Sequence, residues 1–169
     1  MKKRNVLIAS AWALGAMALA PFAALAEEVK KGGTMIMVVQ PEPPTLASYL
    51  STSGPIGQVT TKIYDGLLEY DADLNPQPGL AESWLISDDG KTITFTLREG
   101  VTFHDGTAFD SADVKYSIEE VLVGVHPRAS NSFRELDSIE TPDAKTVVMK
   151  LKNPAPYLIR ALSGYESPM

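Results

Sequence analysis

Ser83-Trp84-Leu85-Ile86-Ser87-Asp88-Asp89-Gly90-Lys91-Thr92-Ile93-Thr94-Phe95-Thr96-Leu97 is the stretch whose reading decides the fold. Asp-Gly between two strand-length segments signals a hairpin, because glycine supplies the positive φ that a tight turn demands. In the second segment Ile93, Phe95 and Leu97 alternate with Thr92, Thr94 and Thr96. Successive strand side chains point to opposite faces, so one face is apolar and the other polar. That alternation predicts an antiparallel sheet with one buried and one wet side.

Downstream, Leu136 to Thr141 and Thr146 to Leu151 flank Pro142-Asp143-Ala144-Lys145, a second predicted hairpin. Between the hairpins His104-Asp105-Gly106-Thr107 reads as a turn. Asp110 then stands as an N-cap with Asp113 in the first turn, which predicts a helix over 111–123 with Val114, Ile118, Val121 and Leu122 inward. Pro154-Ala155-Pro156 opens a last short helix carrying Tyr157, Leu158, Ile159 and Leu162.

Upstream, Ile56, Val59, Ile63, Tyr64, Leu67 and Leu68 recur three or four residues apart, which predicts a helix over 56–70. Asp71 to Pro76 is a turn. The continuous apolar run from Thr34 to Val39 predicts a strand covered on both faces, in a parallel sheet. Three prolines among Pro41, Pro43 and Pro44 end it, leaving loop from Gln40 to about Pro55. The part present is therefore α+β, and its first strand lacks a parallel partner in the sequence.

The chain has 169 residues, with 15 basic against 21 acidic side chains, a net charge of −6 and no cysteine. Lys2, Lys3 and Arg4 precede an apolar run from Val6 to Ala20, and Ala24-Leu25-Ala26 follows, the order of a secretory signal peptide over 1–26 cleaved after Ala26. The run is shorter than the roughly 20 apolar residues of a membrane span. Cleavage removes three basic residues and no acidic one, leaving 12 basic against 21 acidic, net −9. Nucleic acid and anionic membrane are poor partners for such a surface. Without cysteine there is neither a disulfide framework nor an acylation site, so the expectation is a freely soluble periplasmic protein.

A search for chemistry yields little. His104 beside Asp105 lies in a turn signature, and the other histidine, His126, precedes Pro127 in a loop, so no zinc-ligand spacing arises. Ser53-Gly54 and Ser163-Gly164 lack the flanks of a nucleophile elbow. Gly32-Gly33 precedes a strand instead of joining strand to helix, unlike a phosphate-cradling loop. Asp71/Asp73 and Asp88/Asp89 suit turns better than a calcium loop. Trp84 is either a core anchor or an aromatic cleft wall. No catalytic residue, metal ligand or cofactor is expected, which favours binding over catalysis.

The ordered strings Ile63-Tyr64-Asp65-Gly66-Leu67-Leu68-Glu69-Tyr70, Pro78-Gly79-Leu80-Ala81-Glu82-Ser83-Trp84, Ser87-Asp88-Asp89-Gly90, Thr94 to Thr107 and Ala112-Asp113-Val114-Lys115-Tyr116-Ser117 resemble the family 5 extracellular solute-binding proteins, the dipeptide/oligopeptide type of ABC importers. The likeness runs from about Gly33 to the end. It implies an α/β periplasmic-binding-protein-like type II fold with an extra domain, incomplete here because family members are much longer. The implied division is 27–55 as first strand and cleft loop of lobe I, 56–163 as the additional α+β domain, and 164–169 as the start of the return to lobe I. Gly66, Gly79, Trp84, Asp88, Gly90, Asp105, Gly106 and Asp113 are signature positions that serve as scaffold.

By position, Ser51, Thr52, Ser53 and Gly54 resemble the family's loop that meets the ligand backbone, and Asn131 lies where members also reach the ligand. Small polar residues and glycine let a ligand approach main-chain N–H and C=O groups. The resemblance implies a periplasmic monomer that captures a peptide or similar small solute by lobe closure and delivers it to an inner-membrane ABC permease. Nickel complexes, oligosaccharides, haem, opines and glutathione are also bound within the family. Two other readings stay open: a secreted hydrolase with catalytic residues elsewhere, and a binding protein serving chemoreception or chaperoning.

Overall fold

The computed structural model describes residues 32–164 and 167–169. The expected signal peptide, residues 1–26, lies outside them. Residues 37–169 form one unit, and residues 32–36 close a separate N-terminal one.

Alternation dictates the sheet. β3 (Ala81–Ile86) and β4 (Thr92–Leu97) pair antiparallel across the predicted turn, with Trp84 opposite Phe95 and Ile86 opposite Ile93. Gly90 closes that turn at φ +68°, where a side chain would be strained. β5 (Leu136–Asp143) and β6 (Thr146–Leu151) form the second hairpin. The hairpins join through β4 and β6, Phe95 opposite Val147 and Ile93 opposite Met149, giving the order β3-β4-β6-β5. Ile93, Phe95, Leu97, Val147, Met149 and Leu151 are buried on one face. Thr92, Thr94 and Thr96 stand half-buried on the other. Trp84 is half-buried and packs against this core.

One helical segment covers the apolar face. α2 (Ser111–Tyr116) starts from a capping box: Asp110 Oδ accepts from the Ala112 N–H at 2.7 Å, and Asp113 Oδ accepts from the Asp110 N–H at 2.8 Å. It continues as a π-wound stretch, Ser117–Val123. Val114, Ile118 and Leu122, four apart, are fully buried, and Val121 is half-buried. The wider i to i+5 winding keeps residues four apart nearer one line than 3.6 residues per turn would. Ser111 ties the helix start to the β5–β6 turn, its N–H donating to Ala144 O at 3.0 Å and its hydroxyl to Asp143 O at 2.6 Å. α3 (Ala129–Ser132) and α4 (Tyr157–Leu162) follow in chain order, and Leu158, Ile159 and Leu162 are buried.

The helix predicted over 56–70 is corrected. α1 spans only Gly54–Thr60, and Leu68–Tyr70 is a strand, β1, antiparallel to β2 (Pro76–Pro78). The reason lies in the backbone: Gly66 O and Leu67 O accept from the N–H groups of Leu80 and Ala81 at 3.0 and 2.9 Å, so these carbonyls serve the chain entering β3. Leu67 and Leu68 are buried as the apolar spacing required, but from extended backbone. Gly79 is needed at this crossing, because a Cβ there would lie 2.6 Å from Gly66 O.

The buried strand predicted over 34–39 is also corrected. Residues 32–39 carry no strand pairing, and Met35, Ile36 and Val38 are 86, 88 and 83% exposed. A strand exists through its neighbour's hydrogen bonds, and among the described residues none pairs with this run.

Candidate functional site

The loop predicted from Gln40 to Pro55 holds the first site segment. It contains a single 3-10 turn, Ser48–Leu50, whose Ser48 O accepts from the Ser51 N–H at 3.3 Å. Ser51, Thr52 and Ser53 are half-buried, and Gly54 is exposed at the start of α1. The Ser53 N–H donates to Ser51 Oγ at 3.2 Å, while Ser53 O accepts from the Gly57 N–H at 3.1 Å. Ser53 occupies the N-cap position of α1, yet its side chain makes no capping bond. Nothing lies within 4 Å of where a Gly54 Cβ would stand. The main chain at Gly54 is therefore open to an approaching molecule. Gly54, Gly57, Gln58, Thr61 and Lys62 line a groove of about 500 Å³ along the outer side of α1.

Asn131, the other expected site residue, is exposed on α3, its N–H donating to Arg128 O at 3.1 Å. Its neighbour Ser132 lines a different cavity, of about 180 Å³, together with His126, Phe133 and Arg160. The two segments thus front separate cavities.

Sequence reasoning passed over His126. It is buried, 4% exposed, and its Nδ1 accepts from the N–H groups of Arg128 and Ala129 at 3.2 and 3.1 Å. Burial, and then the charge of Arg128, push its pKa below the usual imidazole value. A polar residue two and three positions ahead of a helix start is the signal that could have revealed this cap-like role.

His104 is exposed in the turn where the sequence put it. There Asp105 Oδ1 accepts from the Thr107 hydroxyl at 2.7 Å and its N–H at 2.9 Å, holding the Asp105 carboxyl below its usual pKa. Asp71 and Asp89 cap their own turns likewise. Among the described residues no group of three His, Asp or Glu side chains is placed to hold a metal ion.

The chain as a whole is similar to known proteins. The family model described as bacterial extracellular solute-binding proteins, family 5 Middle, matches residues 75–169. The chain is 39% identical over 170 residues to Protein XP55 of Streptomyces lividans, covering 94% of this chain and 30% of that protein. It is 34% identical over 153 residues to the glutathione-binding protein GsiB of Salmonella paratyphi A, covering 89% and 29%. Among solved structures it is similar to AgaA of A. tumefaciens R10, a PBP in complex with agropinic acid, at 40% identity and a TM-score of 0.66, covering 75% of this chain and 26% of that one. The chain spans about 30% of the length of the curated relatives it matches. Its mixed helices and sheet form part of the type II periplasmic-binding-protein fold, and GsiB and AgaA are named as binding proteins. The chain belongs to the bacterial extracellular solute-binding proteins of family 5.

Proposed function

We propose that this chain is part of the periplasmic solute-binding component of an ABC importer, capturing a peptide or similar small solute and passing it to the membrane permease. The observation that carries the reading is the exposed Gly54 at the start of α1, with nothing within 4 Å of where its Cβ would stand and an uncapped Ser53 hydroxyl beside it. A peptide main chain can approach Gly54 closely, where no side chain stands in the way, and hydrogen-bond to the Ser53 hydroxyl. The glutathione named for one relative is itself a tripeptide, which favours short peptides and their conjugates.

In this reading residues 1–26 direct export and are removed, residues 27–55 belong to lobe I and carry its cleft loop, residues 56–163 form the additional domain, and 164–169 begin the return to lobe I. Ser51, Thr52, Ser53 and Gly54 contact the ligand main chain, and Asn131 offers an exposed amide from α3. Ligand bridging two lobes shifts the population toward the closed form, which the permease distinguishes. No bond is made or broken.

Deleting the gene and following uptake of labelled glutathione, dipeptides and tripeptides tests this. Loss of uptake of one class supports the proposal. Unchanged uptake of every class refutes a transport role for peptides.

A further inference from the structure

From the arrangement around His126 we infer that this side chain is a positioning residue for the Ser130–Asn131 segment, latching it to the end of the π-wound helix through a single imidazole nitrogen. This rests on the reading of Asn131 as a ligand contact. The backbone of His126 is fixed first: its N–H, with that of Val125, donates to Val121 O at 3.1 and 3.0 Å. Its Nδ1 then accepts from the Arg128 and Ala129 N–H groups. Arg128 O in turn accepts from the Asn131 N–H at 3.1 Å, and Ala129 O from the Phe133 N–H at 3.0 Å. The amides of Arg128 and Ala129, whose carbonyls in turn hold Asn131 and Phe133, are thus set by the orientation of one ring. Because both partners are donors, Nδ1 must carry a lone pair, and the ring is the neutral tautomer with its proton on Nε2.

Nε2 itself is buried, with no acceptor among the described residues. A ring that only filled space would be better replaced by a hydrocarbon, since an unmatched buried donor costs stability. The latch gives a reason for imidazole: it places an acceptor where two successive amides need one. Protonating Nδ1 would face a donor with two donors. Arg128 on its own segment opposes protonation of the ring, and the cation Arg160 of α4 lines the same cavity. The latch is therefore held at neutral pH and lost as pH falls through the imidazole's folded pKa, which lies below the usual 6.5.

The test uses the secreted gene product with glutathione as probe. Histidine 15N NMR, with exposed His104 as internal reference, is expected to show His126 as the Nε2–H tautomer. His126→Phe keeps bulk and loses the acceptor, whereas His126→Asn keeps an acceptor near Nδ1. Two lost backbone bonds predict roughly a tenfold or greater rise in amide exchange at Arg128 and Ala129 in H126F, with most of the protection restored in H126N. Glutathione affinity is expected to fall by about tenfold in H126F, to recover in H126N, and to decline on acidification, as the ring protonates, only in the wild type. H126F with wild-type exchange and affinity, or an Nδ1–H tautomer, overturns the latch. If H126F does not fold, the tautomer and the wild-type pH profile decide. A wild type that shows the tautomer and protected amides but takes up no glutathione supports the latch and refutes glutathione as the solute.

Discussion

Replacing Gly79 by alanine tests the crossing between the β1–β2 hairpin and the sheet. An added Cβ would stand 2.6 Å from Gly66 O, 3.1 Å from Leu67 O and 3.1 Å from the Leu68 carbonyl carbon. All three are backbone atoms, and two of the carbonyls are occupied by the Leu80 and Ala81 N–H groups, so no side chain can swing aside. Gly79 O also accepts from Arg98 Nε at 2.5 Å, which anchors the position from the other side. Overpacking of this kind costs about 1–3 kcal/mol. The alanine returns ~0.4–1 kcal/mol by stiffening the unfolded chain. The net expectation is a loss of about 1–2 kcal/mol, or a Tm lower by roughly 3–8 °C. Urea unfolding followed by tryptophan fluorescence measures it, with Gly54→Ala as the control, since nothing lies within 4 Å of that Cβ. A G79A chain as stable as wild type would refute the steric argument, whereas G54A is expected to stay within about 0.5 kcal/mol.

Two further outcomes follow from the helix starts and the turns. Asp110→Ala removes the acceptor of the Ala112 N–H and half of the capping box, and should cost about 1 kcal/mol in the same unfolding assay. Ser53→Ala, at an N-cap position with no cap bond, should change stability by less than about 0.5 kcal/mol; an equal loss at both sites would refute the distinction. Asp71, held by the Asn75 N–H, Asp89 by the Ser87 hydroxyl, Asp105 by the Thr107 hydroxyl and Asp143 by the Lys145 N–H all have pKa values lowered from 3.8. Their contribution to stability is fully present above the unfolded value and is lost as pH falls through the lower folded values. Denaturant midpoints measured from pH 7 to pH 2 should therefore drop below about pH 4. Asp89→Asn should remove part of that drop, and an unchanged profile would count against the turn bonds.

What the sequence made legible was local. The two hairpins and the capped helix are written in residues next to one another: Asp88-Asp89-Gly90 for a turn, alternating Thr92 to Leu97 for a face, Asp110 with Asp113 for a helix start. The misreadings come from partners distant in the chain. Leu67 and Leu68 continue a helical spacing by coincidence, and only the N–H groups of Leu80 and Ala81 reveal that this backbone is extended. Residues 34–39 have strand composition, but composition cannot supply a neighbour. The Ser51–Gly54 segment was singled out through family resemblance alone, since short polar residues before Pro55 read equally as any surface loop. His126 escaped notice because a histidine before proline looks like loop, while its role depends on two amides folding back onto it.

The order β3-β4-β6-β5 also has a kinetic meaning. Each hairpin closes through a short local turn, so each can form on the microsecond scale of isolated hairpins. The pairing of β4 with β6 is different, because Thr96 meets Thr146 only after some fifty intervening residues are looped back. The entropy of that closure is met in one step, and α2, bound at Ser111 to the β5–β6 turn, shortens the free loop on one side. The seam between the hairpins is thus the place where this sheet commits to its native topology, and substitutions there should slow refolding more than those in either turn.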